Sequence, residues 1–155
     1  MTNNLMMQAA QVVPAIRPFL SPIQLKVMAD ACRGEEGEFF MQKFIDLAQQ
    51  IDTMPKTYEQ DGKGDDAIVT LHYFLGGSDW YIIEKDMEGG VEQAYGYAVL
   101  NGDVEMAECG YISIEELTEN GVELDLYFKP CTLREIRGKH CCNAPLRYGP
   151  EPVFA

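Results

Sequence analysis

A series of short strand-like segments, separated by turn residues, occupies the middle of this chain and limits its fold more than any other feature. The segments are rich in β-branched and aromatic residues, and in order they are Ala67–Leu75, Trp80–Asp86, Gln93–Leu100 and Val104–Gly110. Asn101-Gly102 separates the last two and is a strong hairpin signal, because both positions tolerate positive φ. The pattern predicts an antiparallel β-meander.

A fifth strand is predicted further along, between two short helices. Val122–Phe128 alternates apolar and polar residues, as expected for a strand with one wet face. Ser113-Ile114-Glu115-Glu116 is a capping box that starts a helix over 113–119. Thr132-Leu133-Arg134-Glu135 is a second one and predicts a short basic helix over 132–138, followed from His140 by an irregular tail.

Helical spacing dominates the first third of the chain. Leu5 to Val13 is a short apolar-periodic stretch that we expect to end at Pro14, and Ser21-Pro22 is a helix start. Another amphipathic helix is predicted from about Glu38 to Ile51.

Helices followed by antiparallel strands indicate one α+β domain, with the N-terminal helices packed on one face of a meander of about five strands. Within residues 1–155 we expect a helical part over 1–60, an acidic antiparallel sheet over 61–130, and a short helix with an irregular basic tail over 131–155. On this arrangement the opposite sheet face or one sheet rim carries the acidic side chains.

The negative charge of the chain is concentrated in that sheet. Residues 61–128 carry 16 acidic and two basic side chains, a net of −14, whereas residues 1–60 carry −2 and residues 129–155 carry +3. Such a field repels nucleic acid and attracts cationic partners. The alternative is that the acids only keep the protein soluble.

The sequence therefore favours a non-enzymatic protein that docks an acidic sheet side on a basic, nucleic-acid-binding protein. The carboxylates would take positions that phosphates otherwise fill, and exposed aromatics beside them suit an interface. The candidate contacts are Glu84, Asp86, Glu92, Asp103, Glu105, Glu108, Glu115, Glu116, Glu123 and Asp125.

A small metal-dependent enzyme or module is the second hypothesis. Glu84 and Asp86 share a strand face at period two, and hairpins would bring Glu108 near them, so the three could bind Mg²⁺ or Ca²⁺. The spacing of Cys131, His140, Cys141 and Cys142 fits a zinc site poorly. We expect no cofactor, and His72 to be a packed, hydrogen-bonded strand histidine.

Several short motifs within residues 62–137 occur in the order found in a small bacterial family. They are Gly64-Asp65-Asp66-Ala67-Ile68-Val69, Trp80-Tyr81-Ile82-Ile83-Glu84-Lys85-Asp86, Glu108-Cys109-Gly110-Tyr111-Ile112-Ser113 and Leu124-Asp125-Leu126-Tyr127-Phe128. The chain resembles the domain-of-unknown-function 2958 family, which has no assigned activity. The family is similar to proteins that travel on plasmids, integrative elements and phages, which often carry anti-defence genes. Together with the acidic charge of residues 61–128, this resemblance favours an anti-restriction or anti-CRISPR role of the DNA-mimic type.

The chain departs from that family at two places. Cys109 stands where a leucine is expected, and Val122-Glu123-Leu124 lacks the arginine that often accompanies the aspartate at Asp125. A basic partner for Asp125 is therefore missing locally.

The sequence also suggests a compartment and an oligomeric state. The N-terminus has no basic region ahead of an apolar run, and five cysteines show no disulfide spacing, so we expect a reducing cytoplasm and no membrane partner. A structural homodimer joined through the N-terminal helices is the third hypothesis.

Overall fold

The computed structural model describes residues 2–88 and 90–143 and has the predicted α+β fold. The described part contains three N-terminal helices, α1 (Thr2–Ile16), α2 (Pro22–Ala31) and α3 (Gly37–Thr53), two later helices, α4 (Ile114–Glu119) and α5 (Leu133–Asn143), and seven strands. The strands are β1 (Ile68–Val69), β2 (Leu71–Leu75), β3 (Ser78–Glu84), β4 (Ala94–Val99), β5 (Glu108–Ile112), β6 (Glu123–Leu124) and β7 (Cys131–Thr132).

The main sheet is antiparallel and has the order β5-β4-β3-β2-β6, so β5 and β6 form its two edges. β2, β3, β4 and β5 pair with their neighbours in the chain as a meander, and β6 returns to pair beside β2. β1 and β7 form a separate two-stranded sheet, which brings the start of α5 next to β1.

Helix starts follow local side-chain chemistry closely. The Ser21 hydroxyl accepts the Gln24 N–H at 3.1 Å and caps α2. The Ser113 hydroxyl accepts the Glu116 N–H at 3.1 Å and caps α4, as the capping box predicts. α1 was expected to end at Pro14 but continues to Ile16, whose side chain is fully buried. Packing of this last turn outweighs the hydrogen bond that proline removes.

Strand boundaries differ from the prediction at three places. The first predicted strand is divided into β1 and β2, and the predicted fourth strand, Val104–Gly110, starts only at Glu108. Asn101 and Gly102 do take positive φ, of 54° and 73°, but within a 3-10 turn that leads into a longer connection. The predicted fifth strand is reduced to Glu123–Leu124 because only these residues pair with β2.

The sheet is covered on both faces, where one wet face was expected. α1, α2 and α3 cover the first face, where Leu71, Tyr73 and Ile82 lie in the larger core. α5 covers part of the second face, where Leu133 and Ile136 pack in a smaller core. α5 extends to Asn143 instead of ending near 138, and in this extension His140 contacts Tyr81 on β3. Residues 144–155 of the predicted irregular tail lie outside the described part.

Candidate functional site

The ten predicted carboxylates separate into three groups in the structure. Glu84 and Asp86 are buried, with 4% and 8% of their surface exposed, so they do not lie on an exposed face as the sequence predicted. Glu123 and Asp125 lie at the β6 edge. The exposed carboxylates on and around β4, β5 and α4 are Glu92, Asp103, Glu105, Glu108, Glu115 and Glu116.

Glu84 holds the loop that precedes β1. Its carboxylate accepts the Tyr58 N–H at 3.0 Å and the Gln60 N–H at 2.7 Å. The register of β3 against β4 shifts between Ile82 and Glu84, and this irregularity pairs Glu84 with Tyr95. Because charge-assisted hydrogen bonds to backbone satisfy the carboxylate, its role is to shape the loop.

Asp86 organises the next loop in the same way. It accepts the N–H groups of Glu88 at 3.0 Å, Gly90 at 2.5 Å and Glu92 at 3.2 Å. The turn that follows β3 is therefore wrapped around one carboxylate, and this directs the Glu88 and Glu92 side chains outward.

Asp125 has a basic partner, although the sequence offers none nearby. Its carboxylate lies 3.0 Å from His72 Nδ1, and Asp79 lies 2.7 Å from His72 Nε2. The His72 ring stacks on Tyr81, with centroids 4.6 Å apart and planes at 8°. His72 is thus packed and hydrogen-bonded, as predicted.

The carboxylates proposed for a metal do not meet. Glu84 pairs with Tyr95, whereas Glu108 pairs with Ala98, which in turn pairs with Trp80, four residues before Glu84 along β3. Among the described residues no group of three or more His, Cys, Asp or Glu side chains is placed to hold a metal ion. The side chains of Cys141 and Cys142 lie outside the described part.

A groove of about 700 Å³ lies beside the loop after β3. Its acidic lining residues are Asp86, Glu88, Glu92 and Glu115, and Tyr58 and Tyr111 form one wall. Within residues 2–88 and 90–143, no basic residue lines it. Three of the predicted contacts, the buried Asp86 and the exposed Glu92 and Glu115, therefore line one concave surface, which we call the acidic groove.

A second cavity, of about 480 Å³, adjoins the acidic groove at Tyr58 and Tyr111. It lies between the loop before β1, the second sheet face and α5, and we call it the tyrosine cavity. Tyr58, Tyr95 and Tyr111 line it together with Asp61 and, among others, Glu84, Asp65, Cys109 and Arg137. Burial raises the pKa of the Cys109 thiol, so this cysteine is not an activated nucleophile.

Tyr58 has a backbone conformation that L-residues rarely adopt. Its φ is +77°, and the loop is held there by the two hydrogen bonds to Glu84. Strained backbone of this kind is concentrated at functional sites. The half-exposed ring of Tyr58 was not predicted as a site residue, because nothing in the surrounding sequence marks a left-handed tyrosine.

α5 is fixed to the second sheet face by a polar contact. The Tyr81 hydroxyl lies 2.6 Å from His140 Nε2. Burial raises the pKa of Tyr81 and lowers that of His140, so the phenol O–H donates a hydrogen bond to Nε2 of the neutral imidazole. The contact ties α5 to β3.

No protein-family model, curated protein or solved structure matches the chain. The resemblance to the domain-of-unknown-function 2958 family therefore stays a prediction. None of the helices in the described part is long and apolar enough to cross a membrane.

Proposed function

We propose that this chain is a non-enzymatic interaction protein that binds a basic, nucleic-acid-binding protein and blocks it. The acidic groove carries the proposal, since it joins several carboxylates to exposed tyrosines and no described basic residue lines it. Tyrosine is enriched at protein interfaces, and complementary charge steers partners together.

The surrounding sequence strengthens the field of the groove. Residues 86–128 contain 11 acidic residues and no Lys, Arg or His. Lys85, immediately before them, is buried, and its ammonium group donates a hydrogen bond to the Ile51 carbonyl at 2.6 Å. No basic residue of this stretch therefore offsets the exposed carboxylates on the β5 side.

The positions of the carboxylates favour docking along one edge over imitation of DNA by the whole sheet. Six of the predicted contacts are exposed on the β5 side, while Glu123 and Asp125 lie at the opposite edge. An anti-restriction or anti-CRISPR protein is the specific form of the proposal, and the family resemblance supports it. In that form the β5-side carboxylates replace the phosphates that the partner normally binds.

Affinity capture from a lysate of cells that natively encode the chain tests this proposal. We expect capture at low salt to enrich basic nucleic-acid-binding proteins, and high salt to release them, because exposed charges are screened. The Glu92→Gln/Glu115→Gln double variant removes two groove charges and should lose the same proteins.

The matched control is Glu35→Gln/Glu123→Gln. It removes the same number of charges from the α2–α3 connection and from β6, away from the groove. If both double variants capture equally well, or if no nucleic-acid-binding protein is enriched, the proposal is wrong.

A homodimer through the N-terminal helices is a second candidate, compatible with the first. Ile23 and Val27 lie one turn apart on α2 with 75% and 61% of their surface exposed. Light scattering tests it: a dimer doubles the 17.4 kDa mass of the chain, and Val27→Lys should restore the monomer. A monomeric wild-type protein would rule it out.

A further inference from the structure

Three tyrosines from separate parts of the chain converge at the tyrosine cavity. Tyr95 is on β4 and Tyr111 on β5, and their rings lie edge to face with centroids 5.9 Å apart at 78°. Tyr58 reaches them from the loop before β1, with its hydroxyl 2.9 Å from that of Tyr111. Aromatic faces and edges thus surround one end of a cavity of about 480 Å³, a size typical of ligand sites.

The charge around these rings is negative. Asp61 and Glu84 line the cavity, and Arg137, its basic lining residue in the described part, lies 3.6 Å from Asp65 on the α5 side. The pKa of Tyr95 is raised, first by burial and by Cys109, and further by the negative charges of Glu84 and Asp61. Negative potential favours a cation in this space over an anion.

The same sheet face already binds a cation on a tyrosine ring. The guanidinium carbon of Arg137 lies 5.4 Å from the centroid of Tyr97, which is two residues from Tyr95 on β4. This distance is within the range of cation–π attraction. A tyrosine ring of the chain therefore already attracts one internal guanidinium group, and the rings of the tyrosine cavity would attract an external one in the same way.

We infer that the tyrosine cavity binds the cationic end of an arginine or lysine side chain, held by the rings of Tyr58, Tyr95 and Tyr111 and by the charge of Asp61. The cavity adjoins the acidic groove, so one basic segment can lie along the groove and insert a side chain into the cavity. That the cation belongs to a basic partner protein rests on the proposed function. That the cavity binds a cation does not rest on it.

NMR of the tyrosine rings tests the inference on the intact chain. The probes are Nα-acetyl-arginine methylamide and Nα-acetyl-lysine methylamide, with the citrulline analogue as the neutral counterpart of arginine. We expect the ring signals of Tyr58, Tyr95 and Tyr111 to shift saturably with at least one cationic probe. The citrulline analogue should leave them unmoved, because it fills the same volume without the charge.

Three variants connect the shifts to the cavity. Tyr111→Leu removes a ring from the edge strand and should weaken cation binding roughly ten-fold. Asp61→Asn removes an exposed charge without touching the core and should weaken it several-fold. Tyr127→Leu removes another exposed tyrosine, which stacks on Phe39 elsewhere, and it should leave the affinity unchanged.

Equal shifts with the citrulline analogue, no shift with either cation, or shifts with inorganic phosphate alone would overturn the inference. The outcome is separable from that of the capture experiment. Cation binding without groove-dependent capture would support the cation site in the tyrosine cavity and reject the proposed function. Groove-dependent capture without ring shifts would support the proposed function and reject the cation site.

Discussion

The hydroxyl of Tyr58 lies 2.9 Å from the hydroxyl of Tyr111, although 53 residues separate them in the chain. The contact joins the loop before β1 to edge strand β5 and forms the boundary between the acidic groove and the tyrosine cavity. The hydrogen bond raises the pKa of Tyr111, so its phenol is neutral at physiological pH. Their rings provide the uncharged part of a surface whose other groups are mainly acidic.

Replacement of the Glu84 carboxylate should mainly lower the stability of the fold, and should affect partner binding less. In Glu84→Gln, the amide oxygen can accept only one of the N–H groups of Tyr58 and Gln60 well, and the amide NH₂ opposes the other. We expect the free energy of unfolding in urea to fall by about 1–3 kcal/mol.

Glu108→Gln is the control for Glu84→Gln, because it removes the same charge from an exposed position on β5. It should change the free energy of unfolding by no more than about 0.5 kcal/mol. Equal stability of the two variants would contradict the role we assign to Glu84.

Gly96 should tolerate no side chain, whereas the glycine directly opposite it should. A Cβ atom at Gly96 would collide with the backbone carbonyl of Tyr81, while one at Gly110, its partner on β5, would meet nothing within 4 Å. We expect Gly96→Ala to lower the free energy of unfolding by about 2 kcal/mol or more. Gly110→Ala should be neutral or slightly stabilising, since it restricts the unfolded chain.

Urea denaturation of both alanine variants measures this difference. A Gly96→Ala protein as stable as Gly110→Ala would mean that β3 and β4 approach less closely than the structure has them.

The attachment of α5 should weaken as the pH falls. Burial lowers the pKa of His140 below its ordinary 6.5, opposed by Asp79 and assisted by Lys139 and His72. The unfolded chain therefore takes up a proton that the folded chain resists, and stability is lost as the pH falls through 6.5 and below. Protonated His140 could no longer accept the Tyr81 hydroxyl.

The decrease in unfolding free energy between about pH 7.5 and pH 5.5 measures this effect. His140→Gln cannot titrate in that range and keeps an oxygen that can accept the Tyr81 proton, so its decrease should be smaller than that of the wild type. Identical decreases would show that His140 does not contribute to the pH dependence.

The local sequence predicted the fold class, but it did not predict that a helix covers the second face of the sheet. Capping residues and hairpin signals act within a few residues, so Ser21 and Ser113 mark their helices correctly. The cover on the second face depends on β7 pairing with β1 more than 60 residues earlier, which brings α5 into place. No local pattern encodes a contact at that separation.

The sequence predicted only part of the candidate site, again because local patterns do not show which side chains tertiary packing buries. Charge counting identified the acidic segment, and Glu92 and Glu115 do face one groove. It could not separate them from Glu84 and Asp86, because a carboxylate that accepts backbone N–H groups and one that faces water have the same sequence appearance. Burial distinguishes them, and burial is set by tertiary packing.

The dissociation constant of the captured partner, measured with purified proteins, tests the central claim most directly. We expect Glu92→Gln/Glu115→Gln to weaken binding about ten-fold and Glu35→Gln/Glu123→Gln to change it by less than about two-fold. We also expect the wild-type affinity to fall steeply as salt is raised. Equal weakening by the two double variants, or an affinity that salt does not change, would contradict docking at the acidic groove.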